Sequence, residues 1–245
     1  MLLINNNRSK AYLQTLLKNG FKPEKIILLN DENIQLPEHT ENDKLISKNT
    51  NQKFIRTLKD LNIEFDEKEH VLTTIERNNI DFKLINCLDV NSDKVIKEVN
   101  ELNSVYIVYS GPGGTILNKQ ILSLEKKFLH VHPGFLPTYR GSTTIYYSML
   151  ISSEVGASVI ILEEGIDEGP ILYNKKYKIL EKNIDFDYAL DPLVRAKTLI
   201  DFFKLGEFEL KRQANSSEAN TFYIVHPFIK HASLLKHNKR FKSFE

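Results

Sequence analysis

Leu2-Leu3-Ile4 opens the chain, and Lys25-Ile26-Ile27-Leu28-Leu29 follows some twenty positions on. Between the two runs, Ser9 to Leu17 carries apolar residues at Ala11, Leu13, Leu16 and Leu17, a helical spacing that ends at the stop signal Asn19-Gly20. Strand, helix and strand joined by short links begin a parallel sheet of the α/β class. The same rhythm continues outward. Residues 31 to 51 are polar, contain Pro37, and read as a loop with room for a short helix. Gln52 to Leu61 reads as a helix, Phe82 to Asn86 as a strand and Asp93 to Leu102 as a helix. Ser104 to Tyr109 is a strand that runs into Ser110-Gly111-Pro112-Gly113-Gly114, and Phe128 to His132 is a strand that ends at Pro133-Gly134. A helix is expected from Ser142 or Thr143 to Ser152. Strands are expected at 157 to 162 and 171 to 179, and a helix from Tyr188 to Phe203. The expected fold is α/β and Rossmann-like: a twisted, mostly parallel sheet with helices on both faces and a short carboxy-terminal appendage. Residues 1–180 form the expected catalytic domain, and 181–245 a helix and tail packed on it.

The 245 residues are 41% hydrophobic and 27% charged, which suits a globular chain. Formal net charge is +1, so there is no overall cationic excess of the kind a general nucleic-acid binder carries. The single cysteine, Cys87, excludes an intramolecular disulfide framework. No apolar run approaches the roughly 20 residues that span a bilayer, and the start has no basic segment followed by a long apolar stretch. The expectation is a cytoplasmic protein that meets neither membrane nor nucleic acid; a homodimer is allowed.

In an open parallel sheet ligands gather beyond the carboxyl ends of strands. The loop with Gly111 and Gly113 is therefore a candidate site wall, although it matches neither GxGxxG nor GxxxxGK and a tight turn would ask for the same residues. His130 and His132 occupy alternate positions of one strand and project to one face. Histidine is the usual acid or base near neutral pH. Asp167, just past the next expected strand, is the carboxylate to orient it, and should lie within direct or water-bridged reach of His132. Two other readings stand beside this one. The histidines could be polar strand residues satisfied by backbone. His-x-His with a distant Asp could also hold zinc, but no third His or Cys lies close in sequence, and no metal is expected.

His130-Val131-His132-Pro133-Gly134-Phe135-Leu136-Pro137-Thr138-Tyr139-Arg140-Gly141 resembles the signature of the folate-dependent formyltransferases, Asn-x-His-x-Ser-Leu-Leu-Pro-x-Tyr-Arg-Gly. Gly165-Ile166-Asp167-Glu168-Gly169-Pro170-Ile171-Leu172 resembles that family's catalytic-aspartate segment. The resemblance implies transfer of a formyl group from 10-formyltetrahydrofolate to an amine. It implies His132 as base or proton shuttle, with Asp167 as its carboxylate. Tyr139 and Arg140 fall on the loop that borders the family's active site. Two positions depart from the pattern. His130 stands where the family has the asparagine that holds the oxyanion, and Gly134 stands where it has serine. An imidazole N–H can donate to an oxyanion, so His130 can fill that slot.

Residues 5–9 lack the Gly-rich loop of the purine-pathway branch, and residues 173–245 are too few for the larger carboxy-terminal domain of the methionyl-tRNA branch. The remaining branch implies a small-molecule amino sugar, nucleotide-linked, as the acceptor in surface-polysaccharide synthesis. The alternatives are another acyl donor, or a binding protein on a retired catalytic fold.

Overall fold

The computed structural model describes residues 1–33, 63, 65–179, 182–207, 209–213 and 220–240. The helix expected at 52 to 61 and most of the loop at 31 to 51 lie outside the described residues. The chain divides into two compact units, Met1–Leu129 and His130–Glu245.

The first unit holds β1 (Leu2–Ile4), α1 (Asn7–Lys18), β2 (Lys25–Asn30), α2 (Val71–Arg77), β3 (Asp81–Asn86), α3 (Asp93–Asn100), β4 (Tyr106–Ser110), α4 (Lys119–Leu122) and the start of β5 (Lys127–His132). Its strands are ordered β3-β2-β1-β4-β5, and each of these pairs is parallel. Local chemistry sets the boundaries. Asn6 caps α1 by accepting from the Ser9 N–H at 2.8 Å, and Gly20, at φ 83°, supplies the left-handed residue beyond its end. Leu3, Leu13, Ile26, Leu28, Val71, Leu72, Ile75 and Ile80 form one buried cluster between β1, β2 and the two helices. Burial of such side chains, at about 1.5–3 kcal/mol each, holds the layer together.

The second unit holds the end of β5, then β6 (Tyr139–Gly141), α5 (Thr144–Ser152), β7 (Val155–Ile161), β8 (Ile171–Tyr177), a π-helical turn (Phe186–Leu190), α6 (Asp191–Leu205), β9 (Asn220–Phe222) and α7 (Pro227–Lys239). The order here is β5-β7-β8, with β8 antiparallel to β7, so the sheet is mostly rather than wholly parallel. Every residue of β7 is buried, as suits a strand covered on both faces. A separate parallel ladder joins β6 to β9, with Gly141 opposite Phe222. Gly141 has φ 97°, and a Cβ there would lie 2.2 Å from the Phe222 carbonyl oxygen, so only glycine fits.

The carboxy-terminal segment is more ordered than its sequence suggests. His226 accepts from the Phe228 N–H at 3.2 Å and Pro227 begins α7. Lys236 donates to the Leu150 carbonyl at 2.5 Å and Arg240 to the Ser153 carbonyl at 2.6 Å. These two cations satisfy carbonyls at the carboxyl end of α5. Tyr146 is buried and stacks on Phe186 at 5.3 Å. Among the described residues no helix is long and apolar enough to cross a membrane.

Ser158 ties β7 to the loop after β5. Its hydroxyl donates to the Gly134 carbonyl at 2.7 Å and accepts from the Leu136 N–H at 3.0 Å, with the side chain wholly buried. Ser158→Ala should therefore lower unfolding free energy by about 1–3 kcal/mol in urea denaturation. An unchanged midpoint would show that the loop holds its shape without this hydroxyl.

Candidate active site

β5 carries His130 and His132 to its carboxyl end, on one face. His130 is half-buried and His132 is 2% exposed. The loop after β7 brings Asp167 to them. One Asp167 carboxylate oxygen, Oδ2, lies 3.2 Å from His132 Nδ1 and accepts from the Gly141 N–H at 3.0 Å. On the other side of the ring, His132 Nε2 lies 2.7 Å from the Tyr139 carbonyl oxygen. Burial pushes the Asp167 carboxyl up, but the charge and hydrogen bond of His132, the charge of His130 and the Gly141 N–H outweigh it. The group is held well below the ordinary carboxylate range.

Ligating atoms of His130, His132 and Asp167 all lie within 4.8 Å of one another. Such spacing alone would admit a cation. Both His132 ring nitrogens, however, face hydrogen-bond acceptors, so the arrangement is that of a hydrogen-bonded cluster.

Asp167 adopts φ 54°, a left-handed conformation that aspartate tolerates better than most residues. Its neighbours hold it there. Gln213 Nε2 donates to the Asp167 carbonyl at 2.7 Å and to the Gly169 carbonyl at 2.8 Å. Gln213 Oε1 accepts from Arg140 Nη2 at 2.9 Å, while Arg140 Nη1 meets Glu168 Oε1 at 3.2 Å. Ile171 and Lys211 exchange both backbone hydrogen bonds, which brings the Gln213 segment alongside the loop. Gly169 is obligatory, because a Cβ there would sit 1.8 Å from the Ile161 carbonyl oxygen.

Tyr139 acts through its backbone carbonyl. Its ring stacks on Phe222 at 5.6 Å. Gly134 is what lets that carbonyl approach: a Cβ at 134 would lie 2.3 Å from it and 2.6 Å from His132 Nε2. Arg195, on α6, is buried. It donates to the Val131 carbonyl at 2.7 Å and pairs with Asp191 at 3.0 Å, fixing the strand between the two histidines. Of the residues expected from sequence, His130, His132, Gly134, Tyr139, Arg140 and Asp167 thus gather in the second unit. Gly111 and Gly113 lie past β4 in the first. There Arg8 donates to the Gly111 carbonyl at 2.5 Å, and a Cβ on Gly113 would meet nothing within 4 Å. Gln213, Ser158 and Arg195 carry no signal in the sequence, since none stands in a motif or an anomalous pattern.

With this geometry in hand, comparison with known proteins gives the family. Residues 41–188, more than half of the chain, match the family model described as formyl transferase, and the chain belongs to that family. It is 30% identical over 145 residues to a methionyl-tRNA formyltransferase of Finegoldia magna, covering 56% of this chain and 46% of that protein. It is 33% identical over 121 residues to one of Campylobacter jejuni, covering 47% and 39%. The matches to these curated relatives thus span less than half of their length. A solved structure described as WlaRD, a sugar 3N-formyl transferase in the presence of dTDP and 5-N-formyl-THF, superposes with a TM-score of 0.54 at 18% identity, covering 100% of this chain and 80% of that one. An N-formyltransferase from Helicobacter canadensis, in complex with folinic acid and dTDP-3-aminofucose, gives 0.53 at 19% identity, covering 100% and 81%. At these identities the two structures speak for the fold.

Removing the Gln213 amide should loosen the loop that presents Asp167. In Gln213→Ala, amide exchange across residues 165–169 should accelerate at least about fivefold while β7 stays protected. Exchange rates equal to wild type would remove Gln213 from this role.

Proposed function

We propose that the chain moves a formyl group from 10-formyltetrahydrofolate to the amine of a nucleotide-linked amino sugar. The observation that carries this reading is the contact between His132 and an ionised Asp167, with His130 beside them at the end of β5. Transfer needs a group to manage the amine's proton and dipoles to stabilise a tetrahedral oxyanion. Clustered imidazoles around a fixed carboxylate meet the first need, and imidazole N–H groups, His130 among them, can serve the second. In this reading His130, His132 and Asp167 form the catalytic cluster, with Gly134, Tyr139 and Arg140 bordering it, and Gly111 and Gly113, past β4 in the first unit, are proposed substrate- or cofactor-binding residues. Residues 1–180 carry the chemistry and 181–245 support it, chiefly through Arg195 and Gln213.

Family membership supports formyl transfer. Whole-chain superposition on a protein described as a sugar 3N-formyl transferase and on an N-formyltransferase in complex with dTDP-3-aminofucose, each with a folate compound present, supports the donor and the amino-sugar acceptor. A second reading, methionyl-tRNA as acceptor, is favoured by the curated sequence relatives. The near-neutral formal charge of +1 weighs against it.

The test is to incubate the protein with 10-formyltetrahydrofolate and either dTDP-3-aminofucose or methionyl-tRNA, and to follow product mass. The account expects a single formyl gain on the amino sugar. Gain on methionyl-tRNA alone would overturn the sugar assignment, and gain on neither would contradict the transfer reading for both acceptors.

A further inference from the structure

Hydrogen-bond geometry divides the work between the two histidines in a way that the family resemblance does not imply. A carbonyl oxygen can only accept, so the 2.7 Å contact to Tyr139 requires a proton on His132 Nε2. An ionised carboxylate can only accept, and Asp167 Oδ2 already takes the Gly141 N–H at 3.0 Å, so the 3.2 Å contact requires a proton on Nδ1 as well. His132 is then an imidazolium with both N–H groups committed, in a setting where it is 2% exposed. It has no lone pair with which to receive a proton from an amine.

The cause can be read at residue 134. A side chain there would stand 2.6 Å from His132 Nε2 and 2.3 Å from the Tyr139 carbonyl oxygen. Glycine leaves that space open, and the carbonyl occupies it. The two departures from the family's motif, Gly134 and His130, are therefore linked: one seals His132, and the other supplies a second imidazole on the same face of β5. Resting on the formyl-transfer reading, we propose that His130 takes and returns the proton during transfer, and that His132 is a positioning residue with both ring N–H groups committed to acceptors.

The step balances. The amine nitrogen attacks the formyl carbon, a C–N bond forms and the carbonyl electrons move to oxygen. The ammonium proton of the tetrahedral intermediate passes to His130. The oxyanion re-forms the carbonyl as the bond to the donor nitrogen breaks, and the imidazolium of His130 returns the proton to that leaving nitrogen. The Asp167 carboxylate stabilises the transient charge on His130, while its hydrogen bond to His132 keeps it ionised and in place. Among the described residues, the charged groups on the elements that build the site are these. His130 shares its strand, and Asp167 and Glu168 come from the loop after β7. Arg140, on β6, is paired with Glu168, and Arg195, on α6, is paired with Asp191.

Imidazole 15N NMR of the ligand-free protein, with signals assigned through His130→Gln and His132→Gln, tests this directly. At neutral pH His132 should show a proton on both ring nitrogens, and His130 should show one bare ring nitrogen able to accept. A bare ring nitrogen on His132 near neutral pH would overturn the proposal. With dTDP-3-aminofucose as acceptor, His130→Asn, which restores the family's residue, should cut kcat by roughly 10²-fold or more, because an amide cannot accept the proton. Turnover equal to or above wild type would return the proton transfer to His132. Should wild type transfer no formyl group, the functional reading falls while the NMR result still decides the protonation state.

Discussion

The contact between His132 and Asp167 is the constraint on which the rest of the second unit depends. It joins the end of β5 to a loop after β7, two segments 35 positions apart in sequence, and it is buried. A largely buried carboxylate needs a partner and further hydrogen bonds to offset its desolvation, and Asp167 has them. Asp167 receives the Gly141 N–H, and His132 is closed on its far side by the Tyr139 carbonyl. Residues 139 and 141 belong to β6, whose ladder with β9 thereby connects the distal part of the chain to the charged pair. Several features that look separate are consequences of this arrangement. They include the left-handed backbone of Asp167, the two carbonyls gathered by Gln213 and the glycine at 134.

The same geometry accounts for glycine at 134. A Cβ there would lie 2.3 Å from the Tyr139 carbonyl oxygen and 2.6 Å from His132 Nε2, in the space across which the two meet. In the proposed division of labour, His132, with both ring nitrogens facing acceptors, contributes position, and His130 handles the mobile proton.

Much of the fold was legible from hydrophobic runs and stop signals. Leu2 to Ile4, the α1 periodicity and Asn19-Gly20 mark the first elements because each states its structure locally. The short α2 was not legible: its seven residues begin at a histidine cap and follow a polar stretch, so neither length nor a Ser, Thr or Asp signal announced it. The antiparallel direction of β8 is set by tertiary pairing and has no local signature. Helix α7 lay unread because its buried residues are few, and its contacts with α5 use Lys236 and Arg240, which read as charge. At the site, His130, His132 and Asp167 were visible through motif spacing. Gln213, Ser158 and Arg195 were not, since a residue that donates to backbone carbonyls across the chain leaves no pattern in its own vicinity.

A carbon-13 pH titration of the Asp167 side-chain carboxyl, in wild type and in His132→Gln, examines the central pair without any substrate. The account predicts that the wild-type carboxyl stays ionised well below the ordinary value of 3.8, and that its midpoint rises when His132 is replaced. A wild-type midpoint at or above 3.8, unmoved by the substitution, would contradict it.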